Sequence, residues 1–161
     1  MGAITRNAGS PAMLATVTEE DEQLGTVVHR VDLFVDGRTL TVDTDPAGKS
    51  LRYDRTLRRS TTTTEDGAHT SDQRDFPPNY PCVGMLVPGL MPWWDRTTGT
   101  MYPLSVEELG EDRLRVRFAT RDSPGGTEVV VAIMDLDERE GLATRLQYWD
   151  SIYTLTGYGM A

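Results

Sequence analysis

Two histidines, six tyrosines and a single cysteine are the side chains of this 161-residue chain best suited to moving protons or attacking a carbon centre. Five of them, His29, Tyr53, Tyr80, Tyr102 and Tyr148, are the catalytic candidates. Each can donate one hydrogen bond to a polarised carbonyl, a general-acid role that needs no partner motif. His29 falls in step with Val27 and Val31, which suits either a core histidine satisfied by a neighbour or the lining of a pocket. His69 lies in a polar turn region and reads as solvent-exposed. The two are too far apart and too unaccompanied to form a metal pair, so no metal site is expected. Cys82 follows Pro81 among apolar residues with no adjacent lysine or arginine, the setting of a buried, inert thiol. As the only cysteine it also excludes an intramolecular disulfide framework. Asp135, Asp137, Glu138 and Glu140 resemble a calcium loop only superficially, because neither ligand spacing nor glycine placement fits a twelve-residue loop. They read as a charged turn. The sequence contains no phosphate-binding glycine loop, no nucleophile elbow and no paired-carboxylate motif. No cofactor is called for, and an enzyme made from these residues would act by shape and a few polar groups.

Charge narrows the partners. Against 16 basic residues stand 25 acidic ones, a net −9, which repels phosphate backbones and anionic surfaces. Nucleic acid is therefore an unsuitable partner. The N-terminal residues lack the charged-then-apolar order of a secretory signal and no run reaches membrane-spanning length. A cytoplasmic protein without membrane insertion is expected, or an exported one if a leader preceded this sequence. Arg52, Arg55, Arg58 and Arg59 form a basic group on this acidic chain. Its plain reading is intramolecular pairing on a solvated face; its sharper reading is a carboxylate or phosphate clamp at a cavity mouth.

The elements that must position these groups are mostly strands. Residues 1–23 mix Gly, Ser and Pro with the acidic run from Glu19 to Glu22, the composition of a flexible tail. From residue 24 to 161 a single β-barrel-like domain is expected. Val27, His29, Val31, Leu33 and Val35 alternate up to Asp36-Gly37, a type I′ turn signal, with Leu40 and Val42 beyond it. Asp45 to Gly48 make a second turn leading to Leu51 and Tyr53. LRRSTTTT is β-branched yet polar, as an edge or half-exposed strand would be, and Glu65-Asp66-Gly67 follows as a turn. Leu114, Val116 and Phe118 alternate in RLRVRFATR. TEVVVAIMDLD is more continuously apolar, as in a strand covered on both sides, and GLATRLQYWDSIYTL follows it.

One apolar, proline-punctuated segment interrupts this pattern from Tyr80 to Trp94. Its prolines forbid one long helix and favour short helical turns. The fold class is therefore mainly β with minor α: a strongly curved antiparallel sheet, or a half-open or closed barrel, of about seven to nine strands around short central helical segments. Pieces of this kind rest on a sheet less tightly than a continuous helix, leaving room for an apolar cavity. Val31, Leu33, Met85, Leu86 and Leu90 are expected to line it, together with Met91, Trp93, Trp94 and Trp149. Thioethers beside broad aromatic faces suit varied apolar shapes.

VDLFVDGRTLTVDTD as an early strand-turn-strand, MLVPGLMPWW as a mid-chain plug, and RLRVRFATR followed by VVVAIMDLDEREGLATRLQYWD resemble the lipoprotein-carrier superfamily of LolA-, LppX- and RseB-like proteins. The resemblance spans about Thr26 to Tyr153. It implies an unclosed antiparallel β-barrel wrapped about short helices and an apolar cavity that binds lipid or acyl chains without reacting with them. Three functions follow as expectations. The first is binding of a hydrophobic or lipid-like small molecule. The second is a small β-barrel cyclase or isomerase of secondary metabolism, folding a polyketide-like substrate by proximity and one hydrogen bond. The third is a non-catalytic interaction domain that docks a partner on the PPNYPC region. The oligomeric state is left open, a homodimer included.

Overall fold

A strand sends alternate side chains to opposite faces, so the pairing register decides which residues share the interior. The computed structural model describes residues 12–72, 80–91, 101–121 and 125–160. Six strands precede the mid-chain segment: β1 (Met13–Asp21), β2 (Gly25–Leu33), β3 (Thr39–Asp45), β4 (Lys49–Asp54), β5 (Arg59–Thr64) and β6 (Gly67–Asp72). Helix α1 (Pro81–Leu86) and a 3₁₀ turn (Pro88–Leu90) follow. Five further strands complete the fold: β7 (Met101–Gly110), β8 (Arg113–Arg121), β9 (Glu128–Asp137), β10 (Leu142–Tyr148) and β11 (Ser151–Met160). All eleven belong to one curved sheet in the order β6-β5-β4-β3-β2-β1-β11-β10-β9-β8-β7. Two antiparallel meanders are thus joined through the first and last strands, and β6 and β7 are left as unjoined edges. The sheet is unclosed.

The mainly β class stands, and the strand count corrects the expected seven to nine. Three strands lay hidden for separate reasons. β1 occupies residues expected in the tail of 1–23; Met13, Ala15 and Val17 alternate inward there, but the acidic run behind them masks the pattern. β6 has no large apolar residue, since every position of GAHTSD is exposed. β10 and β11 read as one stretch because Trp149-Asp150, a pair without glycine or proline, makes the turn between paired Tyr148 and Ser151.

The register sets the inner face in rows. Met13, Leu33, Leu40, Tyr53 and Ser60 make one, and Ala15, Val31, Val42, Leu51 and Thr62 the next. Toward the β3–β4 turn the row Val17, His29, Thr44 and Lys49 changes to polar groups. From the other meander, Val106, Val116, Met134, Leu146 and Tyr153 run into Glu19 and Val27 of the first. β9 alternates buried Ala132, Met134 and Leu136 with half-buried outer residues, while Val129 and Val130 at its start are exposed. It is not covered on both sides throughout.

The β2–β3 connection spans Phe34–Arg38 and is not a two-residue type I′ turn. Phe34, not Asp36, takes the left-handed conformation (φ 52°), which turns its ring into the core under Arg55, 4.6 Å from the ring centre. Asp36 instead caps the loop, accepting from the Arg38 and Thr39 amides at 2.7 Å and from the Thr39 hydroxyl at 2.5 Å. The β3–β4 turn over Asp45 to Gly48 is as expected.

Helix α1 lies on the concave face, chiefly against β10 and less against β11 and β2. Pro81 starts it without losing a bond, and Pro88 follows its end, so one and a half turns are all the prolines permit. Cys82 to Leu86 are all buried. Gly84 lets Met91 pack close to the helix: a Cβ there would come within 2.6 Å of the Met91 Cε, so the end of that thioether would have to shift.

Gly84→Ala gains up to about 1 kcal/mol of helix propensity but unseats buried Met91 at a cost of about 1–3 kcal/mol. A net loss of stability in urea unfolding is expected, and it should disappear when Met91→Ala is present in the same chain. The hydrogen bonds from Thr39 and Arg38 lower the Asp36 carboxyl to about 2. Its contribution is present above the unfolded-state value of about 4 and is lost as pH falls toward 2. Asp36→Ala should accordingly lower Tm at pH 7, with the difference from wild type shrinking between pH 4 and pH 2.

Candidate functional site

Where the inner-face rows turn polar, α1 presents its N-terminal end, and a cleft of about 280 Å³ opens between them. Its apolar walls are Leu24 from the β1–β2 turn, Val27 from β2, Ala47 from the β3–β4 turn, Tyr80 and Pro81 from the helix start, and Tyr153 from β11. Glu19, His29, Thr44, Lys49 and Cys82 complete the lining.

The polar floor is a connected network. His29 Nε2 donates to Glu19 Oε2 at 2.7 Å, and Nδ1 lies 2.9 Å from Thr44 Oγ1. Ser151 Oγ is 3.1 Å from Glu19 Oε1 and 2.8 Å from Asp21 Oδ2. The Tyr153 ring stacks beside His29, with centroids 6.2 Å apart. His29 is buried in this network, and the Glu19 side chain keeps only 13 % of its exposure. A buried carboxylate needs such donors, because leaving it unpartnered costs several kcal/mol, on the order of 3–5.

Burial, and then the Glu19 carboxylate, hold the Tyr153 hydroxyl well above its usual range. Burial also pushes the Cys82 thiol up to about 12, so it stays protonated at neutral pH and is no nucleophile. What the cleft offers chemically is therefore a fixed hydrogen-bonding floor, an imidazole and one ammonium under apolar walls.

Of the catalytic candidates, the structure brings His29 and Tyr80 to this cleft. Tyr53 is packed in the core edge-on to Phe34, at a ring distance of 6.5 Å. Tyr102 sits on edge strand β7 with Arg121 over its ring, and Tyr148 meets Trp149 at the β10–β11 turn. They do not converge. Among the expected lining residues, Val31, Leu33, Met85, Leu86 and Met91 are buried in the packed core and do not line the cleft. Leu90 ends the 3₁₀ turn. Trp93 and Trp94 lie outside the described residues. Trp149 is 61 % exposed, because its positive φ of 53° at the turn directs it out of the alternation that would have carried it inward.

The basic group does not gather at the mouth. Arg52 and Arg59 border a furrow of about 600 Å³ on the convex face, Arg59 pairs with Asp72 at 3.6 Å, and Arg55 covers Phe34. A second convex furrow of about 510 Å³ runs over Gly157 and Gly159. Both exceed the cleft in volume, but they are open troughs between exposed strand side chains, and the cleft alone of the three adjoins the buried network. The acidic cluster is structural: Arg115 grips Asp135 at 2.7 and 2.8 Å, and Asp137 caps the amides of Arg139 and Glu140. Among the described residues no three acidic, histidine or cysteine side chains are grouped to hold a metal, and no helix is long and apolar enough to cross a membrane.

No protein-family model and no curated protein matches the sequence. A solved structure, that of an uncharacterized conserved protein from Thermus thermophilus, is similar with a TM-score of 0.56 at 12% identity. That alignment covers 99% of this chain and 84% of the other, a likeness of fold alone. The structure of a LolA superfamily protein from Nitrosomonas europaea aligns with a TM-score of 0.40 at 10% identity, over 99% of this chain and 92% of the other.

Glu19, Thr44, Lys49, Ser151 and Tyr153 were not legible as site residues. Glu19 was readable only as part of an acidic run, although it continues the phase of Ala15 and Val17; Lys49 carries the one available signal, as the only lysine in the chain.

Glu19→Ala removes the acceptor from His29 and Ser151 and should cost about 1–3 kcal/mol in urea unfolding. Glu19→Gln, which keeps an acceptor oxygen, should cost less. Equal stability of wild type and Glu19→Ala would show that the network does not hold this end of the sheet.

Proposed function

We propose that the protein binds a hydrophobic or lipid-like small molecule, seated in the cleft at the N-terminal end of α1. One observation carries this reading: apolar walls from separate elements converge on a few polar groups, the hydrogen-bonded Glu19, His29 and Thr44 and the ammonium of Lys49. That division is the usual composition of a small-molecule site, in which apolar area supplies affinity and a few placed polar groups fix orientation. Burial at roughly 25 cal/mol per Å² makes the walls the main source of affinity.

Size limits the guest. About 280 Å³ lies at the lower end of ligand pockets, so a compact molecule or the end of one chain fits, and a multi-chain lipid does not. The packed core behind the cleft, with Val83, Met85 and Leu86 fully buried, offers no continuation inward. The unclosed sheet and a helix of only six residues support the reading from the fold side, since neither covers the row that ends in Thr44 and Lys49.

Displacement of a fluorescent medium-chain fatty acid, with native mass spectrometry for stoichiometry, tests it. Val27→Trp should fill the cleft and weaken binding at least tenfold, whereas Val130→Trp, at the exposed start of β9, should leave it unchanged. Wild-type protein that ignores apolar probes, or a Val27→Trp variant that binds them as wild type does, would overturn the reading.

A further inference from the structure

The cleft also specifies a charge. Resting on the reading of the cleft as a ligand site, we infer that its ligand is a singly charged anionic amphiphile, a carboxylate-headed apolar molecule whose head lies at the Lys49 ammonium.

Lys49 is the one lysine beside fifteen arginines. It begins β4 directly opposite Thr44, and Thr44 faces the interior to meet His29, so Lys49 shares that inner face. Its stem is half-buried, and its ammonium lies 5.5 Å from the centre of the Tyr80 ring. The ring face attracts the cation and holds it over the mouth of the cleft without neutralising it. Among the described residues no carboxylate lies within ion-pair reach of this ammonium, in contrast to Arg30, Arg38, Arg59, Arg115, Arg117 and Arg121, which each have one.

The acid of the cleft does not serve Lys49. Glu19 is engaged by His29 at 2.7 Å and Ser151 at 3.1 Å. A chain of net charge −9 therefore places, in a recess walled by apolar groups, a cation that has no acidic partner among the described residues. An anion that brings its own apolar body satisfies both features: the body covers Leu24, Val27 and Pro81, and the head meets the ammonium in a partly water-excluded site, where charge-assisted hydrogen bonds are strongest. One ammonium matches one negative charge. The compact, flexible lysine head suits a monodentate contact, unlike the flat fork that arginine would offer.

Titration calorimetry with decanoate, decan-1-ol and decylamine, each below its aggregation concentration, tests the assignment on the full chain at pH 7 and low salt. Decanoate should bind at least tenfold tighter than decanol. Lys49→Met, which keeps the stem and removes the charge, should abolish the difference between decanoate and decanol within that variant, with far-UV circular dichroism showing that the variant is folded. Equal affinity for acid and alcohol in wild type, or a preference for the acid that survives in Lys49→Met, would overturn the anionic assignment and leave the apolar site standing. Tightest binding of decylamine would overturn it too, with Glu19 as the selecting group. If none of the three binds, the ligand-site reading itself fails.

Discussion

The pairing of β1 with β11 is the constraint on which the rest of this structure depends. Every other neighbouring pair joins strands adjacent in the chain, contacts that form at small loop-closure cost. Only Met13–Asp21 against Ser151–Met160 brings the two ends together, and it converts two meanders into one face. The pairing is not uniform. Its register shifts between Thr16 and Val17, leaving Thr156 as the extra residue, whose hydroxyl bonds to the Thr16 carbonyl and lies 3.3 Å from the Thr18 hydroxyl. The shift keeps Val17 opposite Leu155 and Glu19 opposite Tyr153 on the inner side. A bulge of this kind re-aims side chains as well as bending the strand. The cleft exists because Glu19 and the β11 pair Ser151 and Tyr153, far from it in sequence, are delivered to one place.

What they form there is a polar island at the rim of an apolar interior. A carboxylate and an imidazole inside a fold are tolerable only when most of their bonding positions are filled, and here neighbouring strands fill them. His29 alone ties three strands together, through Glu19 on β1 and Thr44 on β3. The island marks the limit of the core. Inward of it Val17, Val42, Met85, Leu86 and Leu146 are closed to solvent, and outward of it lie Lys49, Tyr80 and the turn at Ala47. Helix α1 covers the first region and ends before the second, for the plain reason that prolines bracket it. Shape and charge of the recess thus have the same origin.

An open sheet of this size exposes two edges, and the two are protected differently. β6 carries GAHTSD, too polar to offer a sticky template. β7 is longer and keeps Leu104, Val106 and Leu109 exposed, but Pro103 and two register shifts break its regularity. Interrupted or polar edges resist pairing with another chain. The concave face can stay open without inviting extension of the sheet.

Alternation by itself determined β2, β3 and β8, because Val31, Leu33, Leu40, Val42, Leu114, Val116 and Phe118 repeat with period two and turn residues bound them, and a more continuous apolar run marked β9. It also determined that a short, proline-limited helical insert must rest on the sheet and that Cys82 is an inert buried thiol; of the acidic cluster expected as a turn, only Glu138 and Glu140 lie in one, while Asp135 and Asp137 end β9. It left β1 and β6 unread, since one ends in acids and the other lacks apolar residues. It placed Trp149 inside because nothing in Tyr148-Trp149-Asp150 announces a turn. Only tertiary structure decided the site. His29 was visible as a core or pocket residue, but its partners come from β1, β3 and, through Glu19, β11, and no local pattern links positions 19, 29, 44, 49, 151 and 153. Periodicity reports which face a residue takes; register and the closure of β1 on β11 decide whom it meets there.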